Sequence, residues 1–158
     1  MFQLLNRKSR AGLLLLLAAT LELSACTAPE KPAQPLSVSG AWVRLNPPGS
    51  MMTAGYGQFE NTGNETIVLT GFSSPQFGDV SLHYTEDVDG TSTMREAGPK
   101  TLAPGESLTL QPGGFHLMLM QRKVPTPEGF NVDILVDLDT GEARASESST
   151  HKFTVSRR

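Results

Sequence analysis

Phe130 to Leu138 reads FNVDILVDL, with Phe130, Val132, Ile134, Val136 and Leu138 at every second position. That alternation predicts a strand with one buried and one wet face. A helix would need apolar residues three and four apart. The rest of the chain is cut into similar short pieces. Ala54–Glu60 (AGYGQFE) alternates more weakly and runs into the turn cluster Asn61-Thr62-Gly63-Asn64. Thr66–Gly71, Asp79–Thr85 (DVSLHYT), Phe115–Gln121 (FHLMLMQ) and His151–Ser156 (HKFTVS) read as further strands. Asp89-Gly90 predicts a tight turn. Pro104-Gly105 and Pro112-Gly113-Gly114 bracket another short strand, Ser107–Leu110. No window past the N-terminal run carries a helical stripe, and no internal repeat is visible. Short strands with frequent Gly and Pro turns predict an all-β antiparallel sandwich or barrel.

The N-terminus sets the compartment. Arg7, Lys8 and Arg10 precede Ala11–Thr20 (AGLLLLLAAT), an apolar run of signal-peptide length and too short for a permanent bilayer span. Leu23-Ser24-Ala25-Cys26 follows and resembles the bacterial lipobox, whose cysteine is lipidated and becomes the mature N-terminus. Residues 1–25 are therefore expected to be a lipoprotein signal peptide. Ordinary cleavage nearby, leaving Cys26 as a free thiol, is the alternative. Residues 26–39, with TAPEKPAQPLSVS after the cysteine, read as an extended tether, and residues 40–158 as the globular domain. This places the protein in the bacterial periplasm, anchored to a membrane. Thr27 stands where an aspartate would suggest inner-membrane retention, which favours the outer membrane.

Cys26 is the only cysteine. The domain thus has no internal disulfide and must be held by its core, although its compartment is oxidising. Removing residues 1–25 takes away three basic residues and one acidic one, leaving 10 basic against 15 acidic, a formal charge of −5. That excludes a nucleic-acid partner, whose binders carry a basic face, and disfavours adsorption to anionic lipid.

With Cys26 and the initiator Met1 set aside, the soft and borderline metal ligands are three histidines (His83, His116, His151) and five methionines (Met51, Met52, Met94, Met118, Met120). Ten residues separate His83 from Met94, twenty-one separate Met94 from His116, and one separates His116 from Met118. On a strand, His116 and Met118 point to one side, with Leu117 and Leu119 toward the core. His83 falls near the end of another strand, and Met94 on the hairpin or loop after it. Thioether sulfur is soft and neutral. It suits Cu(I) and is a poor ligand for zinc, calcium or magnesium, and imidazole also suits copper. Two of each would hold one Cu(I) ion. Each histidine must be neutral to bind, so affinity is expected to fall below the ordinary imidazole pKa of about 6.5. Taken singly, each residue has a plainer reading. A strand methionine is usually core filler, and a lone histidine a surface or hydrogen-bonded residue. Met120 shares the face of Met118 and reads as a bystander or a support behind the ligands. Met52, with Met51, reads as part of a loop near the site, and His151 as an isolated surface residue.

His83-x10-Met94-x21-His116-x-Met118 resembles the signature of the periplasmic copper chaperones called PCu(A)C. The flanks match as well: Met52-Thr53-Ala54-Gly55-Tyr56, Asn61-Thr62-Gly63, Ser81-Leu82-His83 and Pro112-Gly113-Gly114-Phe115. The resemblance covers roughly residues 41–138. It implies a cupredoxin-like Greek-key barrel with copper at one end, ligated by His83, Met94, His116 and Met118. It also implies a monomer that delivers copper toward the copper-A centre of cytochrome c oxidase, through oxidase subunit II or another copper chaperone. Some members carry a His- and Met-rich tail with a Cu(II) site. This chain ends KFTVSRR, so no second site of that kind is expected.

No Ser/His/Asp arrangement, phosphate loop or acid/base carboxylate pair stands out, so an enzyme is not expected. Three other readings stay open. One is general copper buffering or tolerance in the envelope. Another is an electron-transfer cupredoxin, which needs a cysteine thiolate that the domain lacks. The third is a metal-free β-sandwich lipoprotein, for which the four-residue spacing is coincidence.

Overall fold

The computed structural model describes residues 34–141 and 147–158. The expected signal peptide, Cys26 and most of the expected tether lie outside these residues. Ten strands and no helix occur among the described residues: β1 (Leu36–Arg44), β2 (Thr53–Asn61), β3 (Ile67–Ser73), β4 (Phe77–Val88), β5 (Thr91–Glu96), β6 (Lys100–Leu102), β7 (Ser107–Leu110), β8 (Phe115–Arg122), β9 (Asn131–Asp139) and β10 (Glu147–Ser156).

The strands run β4-β8-β7-β2-β1-β10-β9-β3 around a barrel, and the pair Phe72↔Val80 between β3 and β4 closes it. β5 extends the sheet from the free edge of β4, and β6 from β3. β8 also meets β2 directly, through Thr53↔Leu119, Ala54↔Met118 and Gly55↔Leu117. The pairings are antiparallel except for β1 with β10 and a single bridge between β7 and β8. The fold is an all-β, cupredoxin-like Greek-key barrel.

Alternation fills the interior. Val132, Ile134, Val136 and Leu138 of β9 are fully buried, and so are Leu117 and Leu119 of β8, Phe59 of β2 and Phe153 of β10. Phe130 lies just before β9 and packs only partly against this core. The Asp89-Gly90 turn forms as expected. Both residues have positive φ (53° and 76°), as a two-residue hairpin turn between β4 and β5 requires. Asn61 explains its turn cluster. Its buried amide donates to the carbonyls of Glu65 (2.7 Å) and Leu102 (2.9 Å), and its oxygen accepts from the Gly63 amide (3.0 Å).

Three sequence expectations need correction. β1 starts at Leu36, so residues 36–39 of the expected tether belong to the barrel. Leu36 is a core residue, and Pro35 just before it accepts a backbone bond from Thr62. Gly40 (φ 59°) accommodates a register shift between Ser39 and Trp42 that interrupts the alternation of β1. Second, β6 was not foreseen, and β5 only as the hairpin alternative to a loop after His83. β5 is almost wholly exposed and carries no apolar face. Third, His151 is not a surface residue. It is opposite Ile134, shares the inward face of β10 with Ser149, Phe153 and Val155, and is half-buried. Its Nε2 lies 2.8 Å from the Ser149 hydroxyl, and burial lowers its pKa.

Candidate metal centre

The register of β4, β5 and β8 assembles the candidate set. Leu82↔Leu117 and Val80↔Leu119 point into the core, so the neighbouring pairs His83↔His116 and Ser81↔Met118 face outward. Met94 pairs with Thr85, two residues from His83 and on the same face. His83, Met94, His116 and Met118 therefore share one outer surface of the barrel wall. This refines the expectation of a site at one end of the barrel. The hairpin reading for Met94 holds, with Met94 on β5 and His83 well inside the long strand β4 rather than near its end.

Three of the four side chains converge. The His83 and His116 rings lie 6.1 Å apart between centroids. Met94 reaches across β4 and brings its Sδ to 3.2 Å from His116 Nε2. The other ring nitrogen of His116, Nδ1, lies 3.0 Å from the Gly114 carbonyl oxygen. A carbonyl only accepts, so in the neutral ring Nδ1 carries the proton and Nε2 presents a lone pair. That lone pair faces a sulfur that is itself a donor of electrons. Two neutral donors at a tetrahedral metal, with bonds of about 2.0 Å to nitrogen and 2.3 Å to sulfur, stand about 3.5 Å apart. The observed spacing needs only a small opening to admit an ion. His83 Nε2 is 3.0 Å from the Ser81 hydroxyl, so coordination through that nitrogen requires Ser81 to let go. Met118 is half-buried beside Ser81 on the same face.

Burial is uneven across the set. His116 is 4% exposed, whereas Met94 is 57% exposed. Among the described residues no three His, Cys, Asp or Glu side chains converge on a point suited to a metal.

Two aromatic residues at the site had no assigned role in the sequence reading. Tyr56 is buried with its ring 6.4 Å from that of His116, and Trp42 packs on Tyr56 at 4.6 Å. The Arg44 guanidinium lies 5.7 Å from the centre of the Tyr56 ring. Tyr56 is two residues beyond Ala54, which pairs with Met118, so it continues the same outward row. The period-2 step Ala54-x-Tyr56 was the available signal. The pair Trp42↔Tyr56 between β1 and β2 was not visible without the fold.

Residues 36–146, well over half of the chain, match the model of the LpqE-like family ("Putative lipoprotein LpqE-like"). The chain belongs to the LpqE-like family. Within the curated proteins it is 38% identical over 114 residues to "Putative lipoprotein Lxx21020" of Leifsonia xyli subsp. xyli, spanning 72% of this chain and 68% of that one. The Cu(I) form of DR1885 from Deinococcus radiodurans is 30% identical, covers 80% of this chain and 81% of its own, and superposes with a TM-score of 0.60. The copper-bound PCuAC domain from PmoF2, 19% identical over 77% of this chain and 92% of that domain, has the same fold at a TM-score of 0.60. The resemblance to PCu(A)C proteins expected from the sequence is thus borne out for this LpqE-like chain.

Proposed function

We propose that this protein is a lipid-anchored envelope metallochaperone that binds one Cu(I) ion through His83, Met94, His116 and Met118 and passes it to an acceptor. The observation that carries the proposal is the apposition of Met94 Sδ and His116 Nε2, 3.2 Å apart. Imidazole and thioether both suit Cu(I), and here they stand near the separation of two ligands on one ion. The Cu(I) form of the 30% identical relative supports the choice of metal.

The geometry suits transfer. His116 is a buried, oriented anchor, and Met94 is an exposed ligand on an edge hairpin. An incoming donor can displace Met94 while the histidines keep the ion. Neutral ligands leave the positive charge on copper, so exchange needs no proton movement at the thioethers. Tyr56 and Trp42 cover one flank and limit access from that side. Copper is the cargo, and nothing in this arrangement requires its oxidation state to change.

Lipidation of Cys26 after removal of residues 1–25 would hold the domain at the membrane, with the outer membrane favoured, and residues 27–35 as the remaining tether. The acceptor we favour is the copper-A site of cytochrome c oxidase subunit II, reached directly or through another copper chaperone by a monomeric carrier. An electron-transfer role is disfavoured, because a blue-copper site needs a cysteine thiolate and the sole cysteine is the expected lipidation site Cys26.

The test is anaerobic titration of the purified full chain with Cu(I) against a chromophoric competitor. One tight equivalent is expected, lost in His116→Ala and in Met118→Ala. Unchanged binding in both variants would refute the assignment.

A further inference from the structure

Two methionines near the candidate centre are left unused by the proposed ligand set, and their placement is regular. Met120 continues the outward row of β8, two residues past Met118 and opposite Asp79. Met52 immediately precedes β2. It lies between Thr53, which pairs with Leu119, and Met51, whose carbonyl accepts from the Arg122 amide at 3.1 Å. Both neighbours fix Met52 at the level of Met120, across the β2–β8 seam. The order along the wall is therefore His116, Met118, Met120, with Met52 beside the last.

Exposure makes this row unusual. Among the described residues, the exposed large apolar side chains are Met51, Met52, Val88, Met94 and Val124, so methionine supplies three of five. Met52 is 53% exposed, close to the 57% of Met94. Leaving so large an apolar side chain in water forgoes the free energy of its burial. A thioether at the surface beside a soft-metal site has a use that a leucine would lack. The Met52 backbone is also fixed, since its carbonyl accepts from the Ser50 hydroxyl at 2.8 Å and from the Asn46 amide.

We infer that Met120 and Met52 form a second, weaker Cu(I) position that receives the ion from Met118 during hand-over. This rests on the copper reading of the primary set and extends it. When Met94 releases, the ion is held by His83, His116 and Met118, and Met120 is one pleat repeat further along the strand, about 7 Å by strand geometry. The step is ligand exchange only. Copper–thioether bonds form at Met120 and then Met52 as the bonds to the two imidazoles and finally to Met118 break, copper stays at +1, and no proton or electron moves. Two neutral thioethers hold Cu(I) less firmly than the full set of four, so the position favours release to an acceptor. Met51 serves as an internal control, because it lines a separate groove with Leu45, Val124 and Pro127.

The test uses the full chain in detergent, labelled at the methionine ε-methyl groups and titrated anaerobically with Cu(I). The first equivalent is expected to shift Met94 and Met118, and the second to shift Met120 and Met52 while Met51 stays. In the Met52→Leu/Met120→Leu variant, first-equivalent affinity should remain within about threefold of wild type, since Leu for Met is a near volume-conserving change. The second equivalent should vanish, and transfer to a chromophoric chelator should slow by about tenfold, the effect of one lost ligand step on a barrier. A second equivalent that leaves Met120 and Met52 unmoved, or a variant that transfers at the wild-type rate, overturns the inference. Failure of the first equivalent to shift Met94 and Met118 would instead sink the primary site.

Discussion

His116 on β8 and His151 on β10 belong to one barrel and have opposite surroundings. His116 faces outward, is tied at Nδ1 to the Gly114 carbonyl and turns its free nitrogen to Met94. His151 faces inward beside Ser149, where burial disfavours the charged ring and lowers its pKa from the ordinary 6.5. The sign of the consequence follows from linkage. As pH falls through about 6.5, the unfolded chain takes up this proton before the folded one does. The stability tied to His151 is therefore complete above about 6.5 and declines as pH drops from there toward the folded-state value. Thermal unfolding of the apo chain at pH 7.5 and 5.5 should show a fall in midpoint that is smaller in His151→Gln. Equal falls in both proteins would place the acid sensitivity in other groups.

In the β4–β5 hairpin, β5 carries Met94 yet contributes little to the core, because it is almost wholly exposed and, among the described residues, pairs with β4 alone. Its turn depends on Asp89 and Gly90 at positive φ. A β-branched residue at position 90 meets the left-handed penalty of about 1–2 kcal/mol. Gly90→Val should therefore speed amide exchange in β5 by about five- to thirtyfold with little change in the global melting point. Cu(I) affinity should fall with it. A global loss of stability instead would show that the hairpin folds as one unit with the barrel. Elements of this kind also mark where the sequence was legible. β8 and β9 were readable because one face meets the core and the other does not, which writes alternation directly into the chain. TSTMRE of β5 has no such face, and β1 hides its alternation behind the Gly40 irregularity. The ligand spacing was visible as a pattern. The 3.2 Å approach of Met94 to His116 was not, since it depends on the register of β5 on β4 and on the curl of the sheet. The inward turn of His151 was missed because HKFTVS offers only Phe153 and Val155 to fix its phase.

At the scale of the molecule, one core without a disulfide holds the barrel, and the proposed ligands lie on the outside of one wall. Stability and metal binding should therefore be separable by substitution. Ile134→Ala, on the far strand β9 and fully buried, should cost about 2–5 kcal/mol through lost burial and the cavity left behind. Its folded fraction should bind Cu(I) as wild type does. His116→Ala should do the reverse, with binding lost and the melting point of the apo chain changed far less. The two are linked by mass action: an ion that binds only the folded chain stabilises it by about 2.7 kcal/mol at a free concentration one hundred times its dissociation constant. Anaerobic Cu(I) at that level should therefore raise the melting points of wild type and Ile134→Ala and leave His116→Ala where it was. A metal-induced rise in His116→Ala equal to that of wild type would mean that the ion binds elsewhere on the chain, and the outer face of β4 and β8 would lose its claim to be the site.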